Sequence, residues 1–331
     1  MYYSPCVLTD YVTRQRQRTK EKYCRKMKFL LLDEDRHNEA YKTMLERMER
    51  RRWSQEWANN VFPGAVVQKV ASKFDQGDDE GAFRSLGVGT GNGEYELHLL
   101  KQLSSRFPRI KHVVIEPSHD FIQEYKTETA KVSFTGSIEF EWYEGTFQGY
   151  KEKTLDSADG RFDFISAIHS LYYADNARET VKLLYDCLVP GGMMMIEMSD
   201  DKSSGQRMFA DFPELQQMFT SKNWVTYSDV TAALHDMNIP FTRLVNPIFF
   251  DITDVFDENS REGSLLLDFF THVSNFRQTA DSDLVKRVLQ FLRMKSKEHM
   301  ATVEGTDSGD SDRLKLKRVW ETLIIEKPPK N

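Results

Sequence analysis

The chain is short of cysteine, of long apolar runs and of net positive charge, and each shortage excludes something. Three cysteines in 331 residues, Cys6, Cys24 and Cys187, form no CxxC pair and no obvious disulfide framework. A reducing compartment is therefore expected. No apolar run approaches the ~20 residues of a membrane span, and the first 28 residues hold no apolar stretch suited to a secretory signal. The net charge of −6 gives no chain-wide basic field for nucleic acid or an anionic membrane. His235, His272 and His299 are widely spaced, with no HExxH and no paired cysteines, so no metal centre is expected. Repeats and low-complexity tracts are missing too.

What is present is a globular composition, long enough for one large domain or two small ones. One segment stands apart, RQRQRTKEKYCRKMK at 14–28. It reads as part of a solvated basic tail over 1–33, outside the fold. A mitochondrial presequence and a nucleic-acid arm are the alternatives.

Residues 34–60 read as helix: DEDRHN supplies acids and caps, and Tyr41, Met44, Leu45 and Met48 recur at i, i+3, i+4 and i+7. Phe62-Pro63-Gly64 ends that unit, and a short helix is expected over 65–75. Then the period changes. Strands over 83–88, 110–115, 137–144, 161–169 and 193–198 alternate with helices over 94–107, 118–131 and 176–188. That alternation predicts an α/β fold, a parallel sheet with helices on both faces. After residue 200 the pattern loosens. Helices are expected at 205–220, 227–237, 262–275 and 281–296, late strands at 242–252 and 318–326, and a polar loop at 302–312. The Met193–Met195 run reads as a buried strand.

Between the first strand and its helix lies SLGVGTGNGEYEL, with Gly87, Gly89, Gly91 and Gly93 at every second position. A bare turn at that place lets a ligand approach the backbone at the carboxyl end of a sheet. The dinucleotide fingerprint G-x-G-x-x-G fails in both registers, on Asn92 and on Glu94. The P-loop pattern fails because no Lys-Ser or Lys-Thr follows. What remains is G-x-G-x-G, the pattern of S-adenosylmethionine-dependent methyltransferases. An acid at the end of the next strand is the second requirement, since a carboxylate accepts both ribose hydroxyls. Glu116 closes HVVIE and meets it.

LGVGTGNGEYEL, VVIEPSHDFIQEYK, FDFISAIHSLYYADN, LVPGGMMMIE, LLLDFFTHVSNF and the closing LIIE, in that order, resemble the histamine N-methyltransferase family from about residue 40 to 327. The resemblance implies a Rossmann-like class I methyltransferase. Its mostly parallel seven-stranded sheet would have helices on both faces and a small helical substrate-covering subdomain. It implies one domain over 34–327, with the cofactor core about 65–200, substrate-side elements from 34–64 and 201–317, and a tail at 328–331. It implies S-adenosyl-L-methionine as cofactor and a small amine or imidazole as acceptor. No nucleic-acid or membrane partner is expected; a cytoplasmic monomer is. Position by position, Gly87, Gly89, Gly91 and Gly93 fall on the family's glycine loop, Glu116 on its ribose acid, Thr146 at or beside its adenine-side hydroxyl and Ile168 on its apolar cofactor contact. Phe121 stands where the family has glutamine.

The substrate side departs further. The family's ammonium-holding acid aligns with Arg50, or under a one-residue slip with Glu49. Its late-strand asparagine aligns with Arg318 or Lys317, and its glutamine after the fourth strand with His169. Two boxing tryptophans are replaced by Gln206 and Ala210, while Tyr172, Tyr173 and Phe269 match. Methyl transfer needs an acceptor nitrogen with a free lone pair, so His169 and Tyr172 are the candidate catalytic residues. Glu49, Arg50, His169, Tyr172, Tyr173, Phe269 and Arg318 are the candidate substrate contacts. Two arginines in place of an acid and an amide suit an acceptor that also carries a carboxylate, although Arg50 sits in a charge run, ERRRW, of the kind usually solvated. The alternatives are a methyltransferase fold kept for binding alone, and a nucleic-acid methyltransferase. Against the latter, the stretch after the fourth strand reads AIHSLYYAD, not N/D-P-P-Y/F.

Overall fold

Why the chain is both β-rich and helical shows along its middle third, where apolar four-to-eight-residue runs are spaced by amphipathic segments. The computed structural model describes residues 27–48, 50–74, 81–154, 160–201, 211–219, 224–300 and 313–329. In chain order, β1 (Lys28–Phe29), α1 (Glu34–Arg47), α2 (Arg50–Asn60) and α3 (Gln68–Phe74) come first. Then β2 (Phe83–Val88), α4 (Glu94–Arg106), β3 (Arg109–Glu116), α5 (His119–Thr129), β4 (Ser137–Glu144), α6 (Phe147–Thr154), β5 (Phe162–Ile168), α7 (Ala177–Asp186) and β6 (Leu188–Ser199) alternate. The remainder holds α8 (Pro213–Phe219), α9 (Tyr227–Asp236), β7 (Phe241–Asp251), α10 (Arg261–Thr271), β8 (Val273–Ser274), α11 (Phe276–Thr279), α12 (Ser282–Met300) and β9 (Lys315–Glu326).

The chain divides into two compact units, one of Arg50–Asp201, Trp224–Pro247 and Val319–Asn331, the other of Met1–Glu49, Lys202–Asn223 and Ile248–Arg318. The seven-stranded sheet has the order β4-β3-β2-β5-β6-β9-β7. β2 pairs in parallel with both β3 and β5, β3 with β4, and β5 with β6, while β9 runs antiparallel to β6. This is the Rossmann-like class I methyltransferase fold. The order runs outward from β2 in one direction and from β5 in the other. Their carboxyl ends therefore form the switch point where an open α/β sheet leaves a crevice.

Both faces of the central strands are buried, which explains their continuous apolar runs. On β6, Met194, Ile196 and Met198 pack on one side with Leu86, Ile165, Val181 and Leu184. Met193 and Met195 pack on the other with Phe62, Leu99, Leu103 and Phe164. The methionine run is thus core. In the second unit, β1 pairs antiparallel with β8, and Leu30, Ala40 and Leu265 join α1 to α10. Asp268 is buried there, paired with Arg36 at 2.7 Å and accepting from the backbone N–H groups of Asn275 and Phe276.

Several boundaries differ from the sequence reading. The single helix expected over 34–60 is two, because Met48 is extended (φ −96°, ψ 136°) and forms a bridge with Phe250. The 65–75 helix opens with a π-helical turn over Pro63–Val67. Pro190-Gly191-Gly192 lies within a longer strand, Leu188–Ser199, whose register shifts there. α10 stops at Thr271 because His272 caps it with φ 52°. α6, α11 and the β1–β8 pair were not anticipated. The expected loop at 302–312, and residues 205–210 and 220 of the expected 205–220 helix, lie outside the described residues, while its remainder holds α8.

Candidate active site

The glycine run follows β2 directly, and its backbone is tied down from the neighbouring strand. The Gly89 N–H donates to the Ile115 carbonyl at 2.7 Å, and the Gly91 N–H to Glu116 Oε2 at 2.8 Å. Glu116 Oε1 accepts from the Ser118 N–H at 2.9 Å. Glu116 is 7% exposed; burial pushes its carboxyl above the ordinary range, against the pull of those two N–H groups. Gly93, at φ 72°, is the N-cap of α4, and a Cβ there would fall on the Tyr125 ring. Gly91, at φ 57°, is different: nothing stands within 4 Å of where its Cβ would be. That open space lies beside the buried Glu116 carboxylate and leaves room for a ligand to approach the backbone. Thr90 Oγ1 and Ser170 Oγ are both buried without a hydrogen-bond partner among the described residues. An open cradle, an acid and orphaned hydroxyls fit a ligand rich in hydroxyl and amino-acid groups, which S-adenosylmethionine is.

A second carboxylate supports the loop from beneath. Glu96, on α4, is 5% exposed and reaches back under β2. It accepts from Ser166 Oγ at 2.5 Å and from the Tyr125 hydroxyl at 3.1 Å, with His112 Nε2 at 3.3 Å. His112 Nδ1 stands 2.8 Å from Ser85 Oγ. A Cβ on Gly87 would fall on the Glu96 carboxylate, which would have to move away from its partners to admit one. One acid thus joins β2, β3, β5, α4 and α5 around the loop. Burial, with the Glu96 charge next to it, holds the Tyr125 phenol well above its ordinary range, as a neutral donor.

The other expected cofactor residues sit at the same edge of the sheet. Thr146 follows β4 and is exposed; its Oγ1 accepts from the Gly149 N–H at 3.2 Å. Ile168 ends β5, half-buried. Phe121 lies in the first turn of α5, half-buried, its N–H facing the Ser118 side chain that caps the helix.

His169 comes next after β5, and the chain bends sharply to place it. Its φ is 51°, uncommon outside glycine. Its N–H donates to the Glu197 carbonyl at 2.8 Å. Its Nδ1 is 3.2 Å from the Tyr172 hydroxyl, and its Nε2 is 3.4 Å from Glu197 Oε1. The His169 side chain is 19% exposed and that of Glu197 0%. Glu197 Oε2 accepts from Thr322 Oγ1 at 2.8 Å and from the Tyr95 hydroxyl at 3.3 Å. Trp320 lies edge-on to the imidazole at 4.3 Å, Trp53 edge-on to Trp320 at 5.1 Å, and Tyr173 meets Trp224 at 5.2 Å. His169, Tyr172 and Tyr173 are therefore brought together in one unit, walled by tryptophans that the sequence reading had not placed.

The remaining candidates are not all comparable. Glu49, Gln206 and Ala210 lie outside the described residues, as does the Arg50 side chain, though Arg50 begins α2. Phe269 and Arg318 belong to the second unit. Phe269 faces Tyr41 at 6.4 Å and His272 at 5.8 Å. Arg318 is 8% exposed, its guanidinium over the rings of Phe250 and Phe270. Sequence reasoning missed Glu96, Glu197, Tyr95, Trp53 and Trp320. A signal existed for Glu197: a lone acid inside MMMIEM must have partners to be buried.

A sheet with its switch point between β2 and β5, a glycine loop after β2 and an acid closing β3 defines a methyltransferase. The chain belongs to the methyltransferase-domain family, whose model matches residues 14–238. Within that family it is similar to histamine N-methyltransferases. The Xenopus tropicalis enzyme is 28% identical over 282 residues, covering 84% of this chain and 93% of that one. The Danio rerio enzyme is 28% identical over 269 residues, covering 80% and 90%, and the Bos taurus enzyme 27% over 270, covering 81% and 90%.

Proposed function

We propose that this chain is an S-adenosylmethionine-dependent N-methyltransferase acting on a small imidazole or amine metabolite. The observation that carries the reading is the Gly91–Glu116 pair, an open left-handed glycine hydrogen-bonded to a buried carboxylate at the end of β3. Glu116 would accept the ribose hydroxyls, the loop from Gly87 to Gly93 would admit the amino-acid part, and Thr146, Phe121 and Ile168 would border the adenine end. When bound, S-adenosylmethionine supplies a methyl group on a sulfonium sulfur that is already a good leaving group. The protein's own work is then to orient the acceptor, exclude water and leave the acceptor nitrogen its lone pair. The aromatic wall of Tyr172, Tyr173, Trp224, Trp320 and Trp53 suits a flat acceptor ring, and His169 serves as the polar contact to its nitrogen.

The similarity to histamine N-methyltransferases supports the acceptor class, and the reading includes a monomer working in the cytoplasm. It also includes preference for an acceptor bearing a carboxylate. Phe121, which cannot hydrogen-bond where the family has glutamine, favours a second reading: a cofactor-binding protein without turnover.

The test is calorimetric binding of S-adenosylmethionine to the purified chain, followed by methyl transfer to histamine, histidine, imidazole dipeptides, simple amines and RNA. Binding with turnover on small nitrogen acceptors supports the proposal. Binding with no turnover supports the second reading, and turnover on RNA alone overturns both.

A further inference from the structure

Glu96 meets the glycine loop at both of its ends. Its carboxylate packs against Gly87, and its Oε2 accepts from the Tyr125 hydroxyl at 3.1 Å. The Tyr125 ring in turn packs against Gly93, the N-cap of α4. We propose that Glu96 is a positioning residue for the methyl donor: it holds the loop from Gly87 to Gly93 in its binding conformation and so controls donor affinity rather than turnover. The inference rests on the S-adenosylmethionine-dependent reading given above.

The hollow that takes the carboxylate is built into the sheet. Side chains of a strand alternate between its two faces. The face under α4 is apolar where Phe83, Ile110 and Phe164 pack with Leu103. One step further along the same face the pattern breaks. Ser85 lies opposite His112 of β3, and Gly87 opposite Ser166 of β5. The small residues at 85, 87 and 166 leave the room that Glu96 fills, 5% exposed.

The carboxylate is fixed inside that hollow. Ser166 Oγ donates at 2.5 Å to Oε1, the oxygen nearest to where a Gly87 Cβ would stand. His112 Nε2 lies 3.3 Å from Oε2, and its Nδ1 lies 2.8 Å from Ser85 Oγ. Glu96 itself rides on the first turn of α4, where the helix N–H groups favour negative charge. An apolar side chain at 96 would fill the space without the cost of burying a carboxylate. Stability alone therefore does not call for an acid there.

The other side of the loop is held separately. The Gly89 N–H donates to the Ile115 carbonyl and the Gly91 N–H to Glu116 Oε2. The loop thus lies between two acids with different tasks. Glu116 would contact the donor. Glu96, on the sheet side, acts only through Gly87, Ser166 and Tyr125. A loop released from it would present its binding conformation part of the time, and Kd rises by the inverse of that fraction.

Calorimetry on the full chain and on Glu96→Gln, Ser166→Ala and Tyr125→Phe tests this, with folding checked by circular dichroism. Glu96→Gln is expected to raise the Kd for S-adenosylmethionine about tenfold or more, the scale of a lost hydrogen bond to a charged group. Ser166→Ala and Tyr125→Phe should move Kd the same way by less. They should add little in the Glu96→Gln background, because they act through the same carboxylate. These two carry the test if Glu96→Gln does not fold. Turnover supplies a second readout: donor KM should rise with Kd while kcat at saturating donor and acceptor KM stay at wild-type values. A role in stability alone would lower the unfolding midpoint and leave the Kd of the folded variants unchanged. That result overturns the inference, as does a fall in kcat with donor Kd unchanged. A wild-type chain that binds no S-adenosylmethionine overturns the donor reading itself, and leaves Glu96 nothing to position.

Discussion

Two glycines in one loop should fail in opposite ways. At Gly87 an alanine Cβ falls on the Glu96 carboxylate, which must withdraw from Ser166 and Tyr125. Each buried donor left unsatisfied costs about 1–3 kcal/mol, so the pair implies a loss of about 2–6 kcal/mol. At Gly91 an alanine meets nothing within 4 Å, and its cost is the left-handed backbone alone, about 1–2 kcal/mol. Its methyl group would instead occupy the space beside Glu116. Urea unfolding with and without S-adenosylmethionine separates the two. At a hundredfold excess over its dissociation constant the donor should add about 2.7 kcal/mol to the wild type. Gly91→Ala should remain folded and lose that increment; Gly87→Ala should already be destabilised without donor. A Gly87→Ala chain as stable as wild type, or a Gly91→Ala chain that keeps the full increment, would refute the reasoning.

Acid pH should weaken donor binding through Glu116. Its carboxyl titrates above the ordinary range because it is buried, and the charged form is the one that accepts both ribose hydroxyls. Calorimetry should therefore show affinity falling, with more protons released on binding, as pH drops through that raised value. For folding the sign is the reverse: the buried carboxyl's contribution is largest below its unfolded value and is lost as pH rises through the folded one. His272 acts the other way. Burial, with Arg318 and His37 nearby, pulls its imidazole down to about 3. Its stabilising share is present above the usual ~6.5 and is lost as pH falls from there toward 3. His272→Gln should flatten the acid limb of the stability curve between those values; an unchanged limb would count against it.

Much of the cofactor half was legible in one dimension because its signals are local. Glycines at fixed offsets, an acid ending a strand and alternating strands and helices all lie within short windows, and the sheet order agrees with them. Met48 was not legible, since its extended backbone answers to a bridge with Phe250, two hundred residues on. α6 hid because FQGYKEKT offers only Phe147 and Tyr150 as buried anchors. The proposed acceptor side is long-range throughout. Trp53, Tyr95, Tyr172, Glu197 and Trp320 come from five separate elements, and no spacing links them. Glu197 alone announced itself, as a carboxylate inside an apolar strand, and its partners Thr322 and Tyr95 become visible only in the fold.

The central claim is methyl transfer from S-adenosylmethionine to nitrogen on a small acceptor, and the most direct measurement follows the methyl carbon itself. The chain would be incubated with S-adenosylmethionine labelled in its methyl group and with histamine, histidine and an imidazole dipeptide in separate reactions. Products would be resolved by mass spectrometry, with Glu116→Ala as the control. The expected result is label on a ring or amine nitrogen of at least one acceptor, lost in the control. Donor that binds neither chain, or label that appears on none of the small acceptors, would contradict it.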